Sequence, residues 1–156
     1  MKEQKTKNKD FLSGPEILKE MNISWSEKMF KEKVTIEKAL GNNIFTCRQH
    51  WLRFSFDKTW NTQANAGLKT DMTLGFNDRP AFRNSAAVSF KDKLSGMRVI
   101  PMVLMDSHLY DYLHLSKLQR EEKINHILTE LLETGGEASI IWHNRVFHSD
   151  YGWGVG

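Results

Sequence analysis

Three short apolar runs along the chain end abruptly in charged or imidazole side chains. They are residues 44–47 before Arg48, residues 99–105 before Asp106, and residues 138–142 before His143. Runs of this length without polar alternation are typical of strands buried on both faces, as in a parallel sheet. Because ligands of such α/β folds bind at the carboxyl ends of the strands, the pattern predicts a functional site where these runs end.

Capping boxes predict the two main helices. Ser24, with a glutamate three residues later, begins a helix that we expect to run to Leu40. Ser116, with a glutamine three residues later, begins a helix whose apolar positions keep a helical period up to Gly135. Strands therefore alternate with helices along the chain.

The middle of the chain is less regular. Asp57 is the expected N-cap of a short helix over residues 58–66, and residues 69–74 are a predicted short strand that carries Asp71. Residues 75–96 show no convincing period. A loop of that length is uncommon in a compact domain unless it has a function such as covering a site.

The order of elements predicts an α/β fold with about four mainly parallel strands and flanking helices. The 156 residues correspond to about one domain, whereas a closed (β/α) barrel typically needs roughly 250 residues. The chain is therefore either a small α/β domain or a partial (β/α) barrel, and we favour the second. We place this single domain at residues 11–156, after a disordered basic tail at residues 1–10.

Charge and composition exclude several classes of protein. The tail contributes two of the three net positive charges, so the body is nearly neutral and nucleic acid is not an expected partner. No apolar stretch approaches the ~18 residues of a membrane span, and no signal peptide is visible. We therefore expect a soluble, cytoplasmic protein without a membrane partner. Cys47, the single cysteine, lies in an apolar run and is expected to be a buried structural thiol.

Two of the runs end in groups suited to proton transfer. His143 is followed by Asn144, an amide that can orient a ligand or a ring nitrogen, and an imidazole there can act as a general acid. The alternative is a structural, hydrogen-bonded histidine. Asp106 ends the second run, where a desolvated carboxylate either orients a histidine or caps a backbone turn.

Other candidate side chains suit contacts with sugars. Arg48 and His50 are two residues apart and would face one side of a regular strand, and arginine suits carboxylate, phosphate or sugar oxygens. Asp71, Asp78 and Arg83 are either site residues or members of a structural ion pair. The tryptophans fit sugar-stacking platforms, although most tryptophans simply pack: Trp51, Trp60, Trp142 and Trp153.

Two common classes of enzyme lack support. The chain has neither the GxxxxGK nor the GxGxxG phosphate loop, and it has no GxSxG nucleophile elbow. These absences argue against a nucleotide-binding domain and against a serine hydrolase.

Taken in order, the motifs resemble the C-terminal half of a polysaccharide deacetylase-like (NodB-homology) protein. More narrowly, they resemble a bacterial subgroup with Arg-x-His in place of Arg-x-Pro. The resemblance covers about residues 36–153, and its matching stretches are residues 48–54, 71–76 with Asp78, 82–83, 101–106 and 141–144.

The resemblance implies a distorted (β/α) barrel that removes acetyl groups from sugar polymers. In such enzymes an Asp-His-His set holds a divalent metal such as zinc that activates water, and a second aspartate is the base. Carried over by position, His143 matches the general acid, and Arg48 matches the arginine that orients the catalytic carboxylate. The catalytic residues implied are His143, Asp106 and Arg48. The substrate-binding residues implied are His50, Asp71, Asp78, Arg83, Trp142 and Asn144.

The chain departs from this family in its first part. The Thr-Phe-Asp-Asp motif has no counterpart, Asn22 stands near the place expected for a metal-binding histidine, and no histidine precedes His50. The metal is thus implied by the family only, and no cofactor is expected in this chain. We expect it to be inactive alone, with carbohydrate and possibly a missing N-terminal half as partners.

Two other interpretations stay open. The chain can be a non-catalytic carbohydrate-binding module that uses the substrate groove retained from the deacetylase-like fold. A weaker possibility is a rebuilt metal site that consists of His50, Asp106, His108 and His143.

Overall fold

The computed structural model of the chain describes residues 24–144, which form short strands flanked by three α-helices. The helices are α1 (Trp25–Leu40), α2 (Thr59–Asn65) and α3 (Lys117–Thr134), with a 3₁₀ turn at His50–Leu52 and a π-helical turn at His108–Tyr112. The strands are β1 (Thr46–Cys47), β2 (Thr70–Asp71), β3 (Phe90–Lys91), β4 (Arg98–Val99), β5 (Met102–Met105) and β6 (Ser139–Ile141). The predicted tail at residues 1–10 and Trp153 lie outside the described residues.

Helices α1 and α3 begin and end at the predicted residues. The Ser24 hydroxyl accepts a hydrogen bond from the backbone N–H three residues later, and the Glu27 carboxylate accepts one from the Ser24 N–H. Ser116 and Gln119 form the same capping box at α3. Within residues 24–144, none of the helices combines the length and hydropathy needed to span a bilayer.

The prediction that Asp57 caps the short helix is wrong. Helix α2 begins after Lys58 without a side-chain cap. Asp57 instead accepts a hydrogen bond from the Ser55 hydroxyl, and the Ser55 N–H donates to the Thr59 hydroxyl. The N–H groups of Lys58 and Thr59 donate to the backbone carbonyl of Ser55, so the chain enters this helix through backbone bonds and not through a side-chain cap.

The strands form an array that is mainly parallel. The first sheet has the order β1-β2-β4-β3, in which only β3 is antiparallel to its neighbour, and β5 and β6 form a parallel pair. The Ile100 N–H donates to the Asp71 carbonyl, and the Met102 N–H donates to the Leu74 carbonyl. Residues 98–102 therefore run beside residues 69–74, and the same segment continues into β5 and connects the two sheets.

The α/β class predicted from the sequence is confirmed, with two differences in detail. The predicted strand over residues 99–105 is interrupted at Pro101, which has no N–H to donate to a ladder. Strand β3 lies within residues 75–96, where no strand was predicted. Among residues 24–144 the strands form an open array and not a closed barrel.

Two apolar clusters pack on this array. The first lies where α2 meets the first sheet and contains Trp60, Leu68, Leu74, Met97 and Val99. The second lies between β5 and α3 and contains Val103, Leu104, Leu109 and Ile127. All four residues of β5 are buried, as expected for a strand that is covered on both faces.

The loop after β2 approaches β5 closely at Gly75. A Cβ atom placed on Gly75 would lie 2.5 Å from the backbone carbonyl oxygen of Met102, which cannot move without disturbing the strand. Glycine is therefore required here by space and not by backbone conformation. The carbonyl of Gly75 is also the acceptor for the Arg83 guanidinium.

We predict that Gly75→Ala lowers the free energy of unfolding by about 2–3 kcal/mol, because the added methyl group forces a backbone shift in a packed region. Urea denaturation measures this. Gly41→Ala is the control, because nothing lies within 4 Å of a Cβ there and only the left-handed φ of 68° is disfavoured, at about 1 kcal/mol. A smaller loss for Gly75→Ala than for Gly41→Ala would contradict the close approach.

Candidate functional site

Asp106 and His143 meet at the carboxyl ends of β5 and β6. Asp106 directly follows β5, and His143 lies two residues beyond β6. In the parallel register, Met105 is paired with Ile141, so both strands end at the same level. The pairing of the strands therefore brings together two side chains that are 37 residues apart in sequence.

The carboxylate of Asp106 has three hydrogen-bond donors. Oδ1 lies 2.6 Å from Nδ1 of His143 and accepts the Ser107 backbone N–H at 2.8 Å. Oδ2 accepts the backbone N–H of His143 at 2.7 Å. Asp106 is 0% exposed, whereas 37% of the His143 side chain is exposed. The carboxylate is thus buried behind an imidazole that faces solvent.

This geometry fixes the tautomer of His143. Because an ionised carboxylate only accepts hydrogen bonds, Nδ1 carries the proton, and Nε2 is the nitrogen that can exchange a proton with a ligand. A buried carboxylate in this position holds the orientation and the tautomer of the ring. The pair therefore has the geometry of a general acid or base with its positioning residue.

His108 is close in sequence to this pair but has a structural role. Its Nδ1 accepts the Met105 N–H at 3.2 Å, and its Nε2 donates to the Phe76 carbonyl at 3.0 Å. Burial lowers the pKa of His108, while the carboxylates of Asp78 and Asp106 oppose that shift. The ring is therefore held neutral and joins the loop after β2 to the turn after β5.

The proposed rebuilt metal site does not fit these contacts. Both ring nitrogens of His108 are already bonded, and both oxygens of Asp106 accept hydrogen bonds. Across residues 24–144 no group of three histidine, cysteine, aspartate or glutamate side chains converges as metal ligands would. The side chains in this part of the chain do not form the ligand set needed by the zinc ion that the family resemblance implies.

Arg48 and His50 lie just beyond β1 on the exposed surface. Arg48 Nε donates to the Met72 carbonyl at 3.2 Å. Partial desolvation lowers the pKa of this guanidinium and the Asp71 carboxylate opposes that shift, but arginine stays charged at neutral pH. Arg48 thus offers a fixed positive charge at the edge of the sheet where β1 ends.

Asp71 lies inside the fold and not on the surface, where a substrate-binding residue was expected. It is 0% exposed, and its carboxylate accepts hydrogen bonds from Trp60 Nε1 at 3.1 Å and Gln63 Nε2 at 2.7 Å. The Thr73 hydroxyl is the third donor, at 2.5 Å. Because α2 supplies the first two donors, Asp71 fastens this helix to β2.

Cys47, predicted to be buried, is partly buried and packs against the first apolar cluster. Burial raises its pKa to about 12, and the nearby charge of Asp71 adds to the increase. A thiol with so high a pKa has almost no thiolate at neutral pH and is a poor nucleophile.

Arg83 and Asp78 do not pair with each other. Arg83 donates to the Gly75 carbonyl at 3.1 Å, and its guanidinium lies 5.5–5.9 Å from the ring centroids of three phenylalanines: Phe54, Phe56 and Phe76. Asp78 instead forms an exposed ion pair with Arg79 at 2.9 Å. Arg83 therefore stabilises the long loop, and Asp78 lies on the surface beside it.

Trp142 and Asn144 flank His143. Trp142 is 44% exposed, and its ring meets that of Tyr110 edge to face at 6.5 Å. The Arg120 guanidinium lies 4.4 Å from the Tyr110 ring centroid. Asn144 is exposed and is the last described residue.

Sequence reasoning missed several residues that shape this site. Thr73 and Asn77 bond to the loop after β1, and Tyr110 supports Trp142. Thr73, near the end of the predicted strand 69–74, and Asn77, just beyond it, are polar residues at a strand end, which was a usable signal for both. Nothing in the local sequence pattern indicated the contact between Tyr110 and Trp142.

Comparison with known proteins gives no relative, because no protein-family model, no curated protein and no solved structure matches the chain.

We predict that His108 makes the fold sensitive to acid. Its pKa is lowered below the ordinary value of 6.5 in the folded state, so its contribution to stability is complete above pH 6.5 and is lost as the pH falls below that value. Each pH unit within this window removes up to about 1.4 kcal/mol. Urea denaturation between pH 7.5 and 5 measures the loss.

The variant His108→Gln keeps a nitrogen donor but does not titrate, so we expect it to flatten this dependence. His126→Gln is the matched control, because His126 is exposed on α3. Parallel pH profiles for the wild type and His108→Gln would rule out this role for His108.

Proposed function

We propose that residues 24–144 carry the general-acid half of a hydrolytic site of the polysaccharide deacetylase type. The observation that supports this proposal is the pair formed by Asp106 and His143. A buried carboxylate accepts Nδ1–H of a partly exposed imidazole, so Nε2 is the ring nitrogen that Asp106 does not engage. In this proposal Asp106 is the positioning residue and His143 is the catalytic residue.

The chemistry of acetyl removal needs such a group. When water attacks the acetyl carbon, the leaving amine or alkoxide must receive a proton, and a positioned imidazolium supplies it from Nε2. The resulting neutral ring is still held by its Nδ1–H bond to Asp106. Arg48, exposed at the end of β1, is suited to orient a catalytic carboxylate contributed by another segment. In the family, a bound divalent metal activates the water.

We predict that the chain alone releases no acetate from N-acetylglucosamine oligomers. Joined to the N-terminal half of a deacetylase of this type, it should release acetate. His143→Asn should then lower the rate by about 10²–10⁴-fold, because the asparagine amide keeps a donor to Asp106 but cannot transfer a proton. Asp106→Asn should lower the rate through loss of the tautomer and orientation. Acetate release measures each variant.

The control for this experiment is His126→Asn on the exposed face of α3, which should retain the full rate. A joined protein whose His143→Asn variant keeps the parent rate would refute the assignment of the acid. Acetate release by the chain alone would refute the division of the site into two halves.

The alternative function is a carbohydrate-binding module without catalysis. Two groups favour it: the half-exposed ring of Trp142 and the exposed charge of Arg48, both beyond the carboxyl ends of parallel strands. An aromatic ring with a few polar groups around it is the usual composition of a small-ligand site.

For this function we predict that Arg48→Ala and Trp142→Ala each weaken the binding of an N-acetylglucosamine tetramer by about tenfold, since each removes a contact worth about 1.4 kcal/mol. Calorimetric titration of the whole chain, with and without a chelator, measures the affinity. Lys28→Ala on α1 is the control. Affinity that collapses in chelator would contradict a module that binds without metal.

A further inference from the structure

Trp51 and Leu52 form a strained turn just beyond β1. Trp51 has φ 61° and ψ 21°, and Leu52 has φ 46°, so two consecutive residues with large side chains occupy the left-handed region. This conformation is disfavoured for L-residues, because Cβ crowds the carbonyl oxygen. Such strain persists only where the surrounding structure enforces it, and it is concentrated at functional sites.

Contacts on both sides enforce this turn. The Asn77 amide donates to the Trp51 carbonyl at 3.0 Å, and the Gln49 N–H donates to the Thr73 hydroxyl at 3.0 Å. Leu52 is buried and anchors the end of the turn in the fold. The loop after β2 thus holds the loop after β1 in place.

The strained turn places a large apolar ring in water. Trp51 is 65% exposed, and its ring contacts the imidazole of His50 edge to face at 5.8 Å. Trp60, by contrast, is buried in the first apolar cluster. Core packing therefore explains Trp60 but does not explain why the backbone is strained to keep Trp51 on the surface.

Trp51 lies at the same edge of the strand array as the Asp106–His143 pair. Strands β1, β2, β5 and β6 run in one direction, so their carboxyl ends lie at one edge. Hydrogen bonds join the loops that follow these strands. Asn77 bonds to Trp51, the preceding residue Phe76 bonds to His108, and His108 follows Asp106 closely in sequence.

We propose that the indole of Trp51 is a platform on which a pyranose ring of a carbohydrate ligand stacks. A sugar ring has an apolar C–H face that suits an indole, and its hydroxyl groups suit Arg48 and His50 on the same loop. A platform held rigid before binding loses little conformational freedom when the ligand arrives. The identity of the ligand as a carbohydrate rests on the proposed function.

The test is calorimetric titration of the whole chain with an N-acetylglucosamine tetramer. We expect Trp51→Ala to weaken binding by about tenfold and Trp51→Phe by less, because phenylalanine keeps a smaller ring. Trp25→Ala, which removes an exposed tryptophan from the first turn of α1, should leave the affinity unchanged.

A second variant separates binding from folding. Glycine tolerates the left-handed region, so Trp51→Gly should bind as weakly as Trp51→Ala and yet raise the melting temperature by about 2–4 °C. Loss of binding together with gain of stability is a result that a purely structural tryptophan would not give.

Unchanged affinity in Trp51→Ala, undetectable binding by the wild type, or a lower melting temperature in Trp51→Gly would each overturn the proposal. The proposed function is judged separately, by acetate release and its dependence on His143. Failure of the platform therefore leaves that assignment standing, and failure of His143→Asn to slow acetate release leaves the platform standing.

Discussion

The buried carboxylate of Asp106 is the interaction on which the candidate site depends. A charge without exposure to water is tolerated only if it is hydrogen-bonded, and Asp106 obtains its donors from the residue that follows it and from both the ring and the backbone of His143. These bonds fix the end of β6 against the end of β5. The same contacts that satisfy the charge therefore set the tautomer, orientation and partial exposure of the imidazole.

Asp71 shows how a second buried carboxylate can serve a different purpose. All three of its side-chain donors are neutral, and two come from α2, so its bonds hold a helix on a sheet. Asp106 instead directs a group that can change its protonation state and that reaches solvent. The two carboxylates are equally buried and differ in their donors, which are neutral side chains at Asp71 and include an imidazole at Asp106.

Hydrogen bonds join each loop at the carboxyl edge of the strands to the next one. The Asn77 amide holds the strained turn at Trp51, and the neutral ring of His108 holds the Phe76 carbonyl to the turn after β5. Gly75 allows this loop to approach β5 closely. The long segment over residues 75–96 is thus a structural link between the parts of the site, in addition to containing the short antiparallel strand β3.

The sequence alone determined where α1 and α3 begin and end, that β5 is buried, and that polar groups follow the strands. These features depend on caps and apolar runs, which act within a few residues. The tertiary structure decided the rest. Asp57 does not cap α2, because its carboxylate accepts from Ser55, and Asp71 lies inside the fold, where α2 supplies two of its donors. That His143 meets Asp106 could not be read from position, since this contact depends on the pairing of β5 with β6, which joins residues distant in sequence. Register between strands is set by packing and long-range hydrogen bonds, and these exist only in the folded chain.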